Sequence, residues 1–271
     1  MMDSDFASRD LVLSVVVIAK DESDRIPKLL ASVQSLADEI IVVDSGSSDG
    51  TVEICKSYGA RVIHHKWMGY RAQKQYALEQ ARGEWILNLD ADEALAEETC
   101  AEIRQAITTA SSDVAGFSQP RLSRYLNRWI RYGGWYPDRK IRLVRRGRGV
   151  WVGKGLHERL EVSGLVKPLR YPILHYVYRN ISDQIQTVNN FSSVAAQYQP
   201  SPRGGWYVLW GVVRAIGKFL ECTVWKLGFL DGIAGIIIAM NSAFYVFLKH
   251  AKTWERGLER TTSSRESDFL S

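Results

Sequence analysis

The chain has 271 residues, of which 46% are hydrophobic and 24% charged, and its formal net charge is +5. This composition is ordinary for a globular protein with a sizeable core and excludes bulk disorder. The first ten residues carry three aspartates and no apolar core region, so they do not predict a secretory signal and we expect a cytoplasmic protein. The three cysteines lie far apart without metal-ligand spacing, which favours reduced thiols over a zinc site or a disulfide.

In the first third of the chain, four strand-like segments alternate with helical patterns. The strands are predicted at residues 11–19, 40–44, 61–65 and 85–90. The first is apolar almost throughout, which is typical of a central parallel strand covered on both faces. Helices are predicted at 26–33, where apolar residues share one face, and at 69–82. This alternation predicts parallel βαβ units, whose ligands bind at the carboxyl ends of the strands.

Polar residues follow the first two predicted strands. Lys20, Asp21 and Glu22 come directly after the first strand. The second leads into a turn of small residues at 44–51, in which Gly46 permits unusual backbone angles and Ser or Asp side chains can cap the next helix. Alone, this turn is explained by its capping role. Together with the acidic end of the fourth strand, it favours a nucleotide-binding edge of the sheet.

The fourth predicted strand ends at Asp90, and Asp92 follows two residues later. The period of an extended chain points both carboxylates to the same side. Two such anions repel each other unless a cation lies close to them. Oxygen ligands suit Mg²⁺ or Mn²⁺, which complete their shells with phosphates and water. The pair therefore predicts a phosphate-bearing metal site, and an exposed acidic turn that caps a helix beginning near Ala94 is the simpler alternative.

Positive charge is concentrated between Arg121 and Arg148, where ten lysines or arginines accompany a single acid, Asp138. We expect this stretch to face solvent or an anion, such as substrate phosphates or lipid headgroups. Nucleic acid is not an expected partner, because no recognisable nucleic-acid-binding module accompanies the charge.

Three motifs, taken in order and spacing, resemble glycosyltransferase family 2. They are Val-Val-Val-Ile-Ala-Lys-Asp-Glu (15–22), Ile-Ile-Val-Val-Asp-Ser-Gly-Ser-Ser-Asp-Gly-Thr (40–51) and Trp-Ile-Leu-Asn-Leu-Asp-Ala-Asp-Glu (85–93). Residues 136–146 and 151–160 look like the branch that includes lipopolysaccharide inner-core glucosyltransferases. The resemblance implies an α/β GT-A fold, with a Rossmann-like mixed sheet flanked by helices. It also implies a nucleotide-sugar donor, Mg²⁺ or Mn²⁺, and transfer with inversion at the anomeric carbon.

The resemblance also implies roles for individual residues. The nucleotide-sugar pocket would contain Lys20, Glu22, Asp44, Gly46, Arg71, Gln73 and Asp90. Asp92 would coordinate the metal, with Asp90 close to it. Asp44 can equally be a helix cap, Arg71 and Gln73 can be plain surface residues, and we expect Lys74 at the surface. Glu158 lies where the family has its catalytic base, and a structural ion pair with Arg145 or Arg159 is the alternative.

The C-terminal part has a different pattern. Residues 206–220 predict an amphipathic helix, with tryptophans and aliphatic residues on one face and Arg214 and Lys218 on the other. Residues 227–248 carry one charge, Asp231, and are near the roughly 20 residues that span a bilayer. Because Asp231, Asn241 and several glycines interrupt this stretch, we expect a re-entrant or interfacial hairpin. A buried helical pair packed on the catalytic domain or on a second copy of the chain is the alternative.

The predicted organisation is therefore an N-terminal tail (1–10), a GT-A domain (11–180), a helical membrane-associating region (181–250) and a polar tail (251–271), which we expect to be loose from residue 257. We expect a peripheral or monotopic protein on the cytoplasmic side of the inner membrane. It would transfer a hexose, glucose from UDP-glucose, to a lipid-linked saccharide such as the lipopolysaccharide inner core. Transfer to polyprenyl phosphate or another envelope glycan is one alternative, and a non-catalytic sugar-nucleotide-binding or scaffold protein is another.

Overall fold

A computed structural model describes residues 12–153, 158–200 and 204–269, with side chains as far as Leu258. The predicted tail 1–10, Leu11 and His157 lie outside the described residues. The chain divides at Leu122, Tyr136 and Tyr176 into two compact units. The second unit combines the C-terminal part with Ser123–Tyr136, a segment inside the range predicted for the catalytic domain.

The first unit alternates strands and helices and then continues with strands alone. Its elements are β1 (Leu13–Ala19), α1 (Ile26–Val33), β2 (Glu39–Asp44), α2 (Thr51–Ser57), β3 (Arg61–His64), α3 (Tyr70–Glu79), β4 (Trp85–Asp90), β5 (Glu93–Leu95), α4 (Glu97–Thr109) and β6 (Val114–Tyr125), whose last residues belong to the second unit. After β7 (Arg128–Trp129) of the second unit, it resumes with β8 (Asp138–Arg145), β9 (Gly149–Val152), β10 (Arg159–Val162), β11 (Leu165–Pro168) and β12 (Ile173–His175).

The first four strands form the parallel half of the main sheet, as the sequence predicts. β1 lies between β2 and β4, and β3 pairs on the outer side of β2, all in parallel. α1 covers one face with the apolar residues of its predicted stripe, Ile26, Leu29, Leu30 and Val33, which are fully buried. Each such side chain contributes roughly 1.5–3 kcal/mol on burial. This packing places the carboxyl ends of β1, β2 and β4 at one edge of the sheet.

The other half of the sheet is antiparallel. β8 runs antiparallel to β4, and β6 runs antiparallel to β8, so the sheet is mixed as expected for the GT-A fold. The helix placed near Ala94 begins three residues later, at Glu97, because Glu93–Leu95 is a buried strand that pairs with β12. The partner strand lies some 80 positions further along the chain, at Ile173–His175, so local pattern could not reveal it.

The second unit is built around three helices, α5 (Ile181–Gln197), α6 (Trp206–Leu220) and α7 (Gly232–Phe269). Asn180 caps α5 by accepting a hydrogen bond from the Asp183 N–H at 2.9 Å. α6 and α7 form an antiparallel hairpin, since Gly211 near the start of α6 lies against His250 of α7. A π-helical turn (Glu221–Trp225) and a 3₁₀ turn (Gly228–Asp231) close the other end.

The C-terminal helix differs from the prediction at its end. The stretch expected to be loose from Gly257 continues α7 as far as Phe269, because no further glycine or proline interrupts it. Within the described part of the chain, Gly228–Leu258 is the helical stretch whose length and composition suffice to cross a membrane, with a mean hydropathy of 1.6. Only 28% of the most apolar part of this stretch is buried within the protein.

Candidate active site

A cavity of about 680 Å³ opens in the first unit at the carboxyl ends of β1 and β4. Its walls come from both strand ends, from the loop after β1, from α3 and from the residue that precedes β10. The lining residues are Ile18, Ala19, Lys20, Asp21, Glu22, Arg25, Trp67, Tyr70, Lys74, Asp90, Ala91, Asp92 and Glu158. Of the predicted site residues, Lys20, Glu22, Asp90, Asp92 and Glu158 are thus brought together. Asp44, Gly46, Arg71 and Gln73 are not among these described lining residues.

The two loops beside the cavity hold each other in place. Asp21, which adopts φ 52°, accepts a hydrogen bond from the Ser48 N–H at 2.8 Å, and its own N–H donates to Ser47 Oγ at 2.9 Å. The Glu22 N–H donates to Thr51 Oγ1 at 2.9 Å. The loop after β2 therefore fixes the residues after β1 that line the cavity.

Asp44 and Gly46 shape that second loop rather than the cavity wall. The buried Asp44 carboxylate accepts hydrogen bonds from the Gly46 N–H at 2.8 Å and from the Ser47 N–H at 3.0 Å. Gly46 has φ +90°, a conformation that strains residues with a side chain. Asp44 thus closes the turn that it begins, and it does not cap a helix, because α2 begins only at Thr51 and its N-cap residue is Gly50.

α3 contributes one residue that fixes the neighbouring loop, Gln73, and one that lines the cavity, Lys74. Gln73 is fully buried and its Nε2 donates to Ser45 Oγ at 3.0 Å and to the His65 carbonyl at 3.1 Å. It joins α3 to the loop after β2 and is not the surface residue given as its alternative. Arg71 is exposed on the same helix. The side chain of Lys74 enters the cavity and is only 11% exposed, so its expected surface position is wrong.

Asp90 is the centre of an ion-pair network. Its Oδ1 lies 2.8 Å from Lys74 Nζ, and its Oδ2 accepts from the buried guanidinium of Arg142. Arg142 also donates to Glu93 Oε1 at 2.7 Å. Burial alone would raise the pKa of Asp90, but the charges of Arg142 and Lys74 outweigh it and hold that pKa well below its usual range. Asp90 therefore stays ionised at the cavity wall.

Asp92 follows in the turn between β4 and β5 and faces the same cavity. Its Oδ2 lies 3.4 Å from both Arg25 Nη1 and His175 Nε2. Among the described residues, no group of three or more His, Cys, Asp or Glu side chains is arranged to hold a metal. A carboxylate oxygen nevertheless suits Mg²⁺ or Mn²⁺, which take further ligands from phosphates and water. Both oxygens of Asp90 have close cationic partners, whereas the two contacts given for Asp92 are longer, at 3.4 Å, and reach one oxygen, so Asp92 is the carboxylate of the pair that better fits a metal.

Glu158 lies opposite the strand ends, with its Oε1 3.5 Å from Lys74 Nζ. Its Oε2 is buried and has no hydrogen-bond partner within the described part of the chain. The structural pairs considered for it do not form, because Arg145 pairs with Glu84 and Arg159 with Glu161. Burial, followed by the charge of Glu158 and then that of Asp90, raises the pKa of the nearby Tyr70 phenol. The cavity is thus acidic, with Lys74 between its carboxylates.

Sequence reasoning missed the cations of this site. Lys74, Arg142, Arg25 and His175 all contact Asp90 or Asp92, although their positions in the chain are far from that motif. Arg142 belongs to the basic stretch that we expected to face solvent or an anionic ligand, but it is buried in an internal ion pair. A lone basic residue in an otherwise apolar strand, as in Ile-Arg-Leu-Val (141–144), was the available signal.

A mixed α/β sheet with an acidic cavity at its strand ends is the architecture expected for the GT-A fold. Comparison with known proteins assigns the chain to a family. The model of glycosyl transferase family 2 matches residues 14–157. The chain therefore belongs to glycosyltransferase family 2 and is a glycosyltransferase.

Related proteins match along nearly the whole chain. A lipopolysaccharide core biosynthesis glycosyltransferase, LpsC of Rhizobium meliloti, is 32% identical over 91% of this chain and 93% of its own length. An uncharacterised glycosyltransferase of Rickettsia bellii is 44% identical over 95% and 91%. Among solved structures, residues 1–349 of S. aureus TarS with UDP match 93% of this chain and 92% of that one, at 15% identity and a TM-score of 0.48.

Proposed function

We propose that this glycosyltransferase transfers a hexose, glucose from UDP-glucose, to a lipid-linked saccharide of the lipopolysaccharide inner core. The observation that carries the proposal is the convergence of Lys20, Glu22, Asp90, Asp92 and Glu158 on one cavity within the family-2 part of the chain. The acceptor class is supported by the similarity to the Rhizobium meliloti lipopolysaccharide core enzyme over 93% of that protein's length.

In this proposal the strand-end side of the cavity binds the nucleotide sugar. The backbone after β1 is fixed by the loop 44–51, so that Lys20 and Glu22 are held at the donor side. Asp90 is kept ionised and oriented by Lys74 and Arg142, which suits it to accept hydrogen bonds from a donor hydroxyl. A preorganised carboxylate of this kind costs no reorientation during the reaction.

Glu158 is the proposed general base. Its Oε2 lies in the cavity without a protein hydrogen-bond partner among the described residues, so it can accept the proton of an acceptor hydroxyl. The hydroxyl oxygen would then attack the anomeric carbon from the side opposite the leaving diphosphate, which gives inversion. Lys74 Nζ lies 3.5 Å from the other oxygen, Oε1, and helps to hold the carboxylate of the base in place.

Asp92 and His175 are the residues that would hold Mg²⁺ or Mn²⁺. When bound, the ion would neutralise the negative charge that develops on the departing diphosphate. Arg25 Nη1 lies 3.4 Å from Asp92 Oδ2. Its guanidinium adds a positive charge from the protein at this end of the cavity, where the diphosphate would lie.

Membrane association is proposed for the second unit, on the cytoplasmic side of the inner membrane. One face of α6 exposes a continuous row of apolar side chains: Trp206, Leu209, Trp210, Val213, Ile216 and Leu220. An amphipathic helix with tryptophans on its apolar face is suited to the membrane interface, where a lipid-linked acceptor is anchored.

The test is a transfer assay with the purified full-length chain, UDP-glucose and truncated lipopolysaccharide core as acceptor. We expect UDP release that depends on acceptor and a product heavier by one hexose. Core oligosaccharide from a strain that lacks the protein should be lighter by the same unit in mass spectra. Transfer to polyprenyl phosphate in place of core acceptor would contradict the proposed acceptor and retain the enzyme class.

A further inference from the structure

The closed end of the α6–α7 hairpin is an apolar surface, which we call the tip and define as residues 221–233. Trp225 and Ile233 are 75% and 77% exposed, and Val224, Leu227, Phe229 and Leu230 are also exposed. The backbone beneath them is tightly packed, because a Cβ on Gly228 would meet the Cys222 carbonyl oxygen at 2.5 Å. The tip therefore presents its large side chains from a fixed turn rather than from a loose loop.

Three basic residues lie around this tip, and hydrogen bonds hold two of them, Arg128 and Arg131, beside it. Hydrogen bonds attach the segment from Arg128 to Gly133 to the tip. Arg128 Nη2 donates to the Leu230 carbonyl at 3.2 Å, the N–H groups of Arg131 and Tyr132 donate to Asp231 Oδ2 at 3.0 and 2.8 Å, and the Gly133 N–H donates to the Lys226 carbonyl at 2.9 Å. Arg128, Arg131 and Lys226, which we call the collar, are all exposed.

The acids close to the collar do not cancel its charge. Asp231 is buried and accepts the backbone N–H groups of Arg131 and Tyr132. Glu221 lies 3.1 Å from Lys218 Nζ and 2.5 Å from Lys226 Nζ, so two lysines share one carboxylate. Arg131 and Arg128 therefore leave a net positive border around an apolar centre.

This arrangement argues against a transmembrane path for α7. If Gly228–Leu258 crossed a bilayer, α6, which packs along α7, would enter the hydrocarbon with it and carry Arg214 and Lys218 there, at about 2.5–3.5 kcal/mol for each cation near the centre. The opposite face of α7 is also committed to α5, where Lys252 Nζ donates to Asn189 Oδ1 at 2.7 Å and to Ser192 Oγ at 2.8 Å. The same helix has one face in contact with protein and another face suited to lipid.

We propose that the tip and collar are an anchor for anionic phospholipid headgroups, with the hairpin lying in the plane of one leaflet. This inference rests on the membrane association proposed above and names its lipid chemistry. Apolar tip residues would enter the acyl boundary while the collar binds phosphates at headgroup depth. A second copy of the chain fits less well, because a two-fold contact through this surface brings the two positive collars close together.

The experiment is flotation of the full-length protein with vesicles of phosphatidylcholine alone or with phosphatidylglycerol added. We expect the added anionic lipid to increase binding, and Arg131→Gln to reduce that binding about fivefold without changing binding to phosphatidylcholine. Arg148→Gln, at an exposed arginine of the first unit, is the matched control and should bind as the wild type does. Trp225→Ser with Ile233→Ser, at exposed positions, should reduce binding to both vesicles.

Transfer to a soluble, delipidated acceptor is measured on the same variants. A variant that no longer binds vesicles but still transfers sugar to the soluble acceptor at the wild-type rate supports the anchor. A wild-type protein that does not transfer sugar to the soluble acceptor contradicts the proposed function and not the anchor. The inference would be overturned if vesicle binding did not increase with phosphatidylglycerol and did not decrease in Arg131→Gln. It would also be overturned by a dimer in light scattering that Trp225→Ser dissociates, or by resistance of the wild type to extraction from vesicles at alkaline pH, since a spanning helix resists it.

Discussion

At the scale of single residues, Lys74 separates two carboxylates with different proposed tasks. It contacts Asp90 Oδ1 at 2.8 Å and Glu158 Oε1 at 3.5 Å, and its ammonium lies 4.9 Å from the Trp151 ring centroid. Such a position fixes the separation of the two carboxylates. Lys74 therefore acts as a positioning residue, with no contact to the reacting atoms required of it.

Lys74→Met should lower kcat by about 10²-fold, because Glu158 then loses the contact that holds its carboxylate in position. The donor Kd should change little, since Arg142 still holds Asp90. Lys74→Arg restores the charge and should recover part of the rate, which a purely packing role would not allow. Steady-state kinetics of the three proteins, with thermal unfolding as the check on folding, decide between these roles.

Glu158→Gln removes the proposed base and keeps the side-chain shape. We expect kcat to fall by about 10²–10⁴-fold while UDP-glucose affinity stays near the wild-type value. Glu161→Gln, at an exposed position on β10 three residues after Glu158, is the control and should retain activity. A loss that appears only in stability or in donor affinity would assign Glu158 a structural role.

Asp92→Asn should remove the dependence of UDP binding on metal. Titration calorimetry of UDP with and without Mn²⁺ measures this directly and does not require turnover. We expect Mn²⁺ to tighten binding to the wild type and to the control Glu98→Gln, an exposed residue of α4, and to leave Asp92→Asn unaffected. The metal assignment would be refuted if the UDP affinity of the wild type were the same with Mn²⁺ and with EDTA.

At the scale of elements, the sequence predicts those parts whose signal is local. β1 to β4 and α1 appear where they were predicted, because each contains a short apolar run or a helical stripe bounded by turn residues. β5 was missed because Glu93–Leu95 is a strand only through its partner β12. The same reason explains the site: the carboxylates Asp90 and Asp92 form a recognisable motif, whereas Lys74 and Arg142 acquire their role only when α3 and β8 fold beside β4.

Glu39 connects several elements of the first unit. Its carboxylate accepts from Ser14 Oγ of β1 at 2.8 Å and from Arg82 Nε at 2.7 Å, and Arg61 Nη2 of β3 lies 3.3 Å away. Burial would raise the pKa of Glu39, but the hydrogen bonds of Arg82 and Ser14 outweigh it and the pKa is lowered. The carboxylate thus stabilises the fold in its ionised form.

Because the folded-state pKa of Glu39 lies below the unfolded value, its contribution is present above about pH 4.5 and is lost as pH falls through the folded pKa. Glu39→Gln should lower the free energy of unfolding at pH 7 by about 1–3 kcal/mol. The difference from the wild type should shrink towards acid pH. Urea unfolding at several pH values measures it, with Glu98→Gln as the surface control, and a difference constant down to pH 3 would contradict the assignment.

At the scale of the whole molecule, the proposed catalytic site and the proposed membrane-binding surface belong to different units, and the second unit includes a segment from within the first. Ala234 and Ile238 of α7 form a buried cluster with Tyr125 and Ile130, which lie in the segment Ser123–Tyr136. Removal of the C-terminal helices would therefore expose this cluster. Substitutions on the exposed face of α6 test the division without that damage.

Leu209→Ser with Ile216→Ser places two hydroxyls on the apolar face of α6, at positions 67% and 57% exposed. The fold should be retained, because neither side chain is buried. We expect transfer to a lipid-anchored acceptor in vesicles to fall about 10–100-fold, because the enzyme loses the high effective concentration that shared membrane binding provides. Transfer to the delipidated acceptor should stay at the wild-type rate. Tyr198→Ser, at a 68% exposed position after α5, is the matched control. Equal losses with both acceptors would instead place the α6 face in catalysis or stability, and equal retention would show that the acceptor is reached without membrane docking.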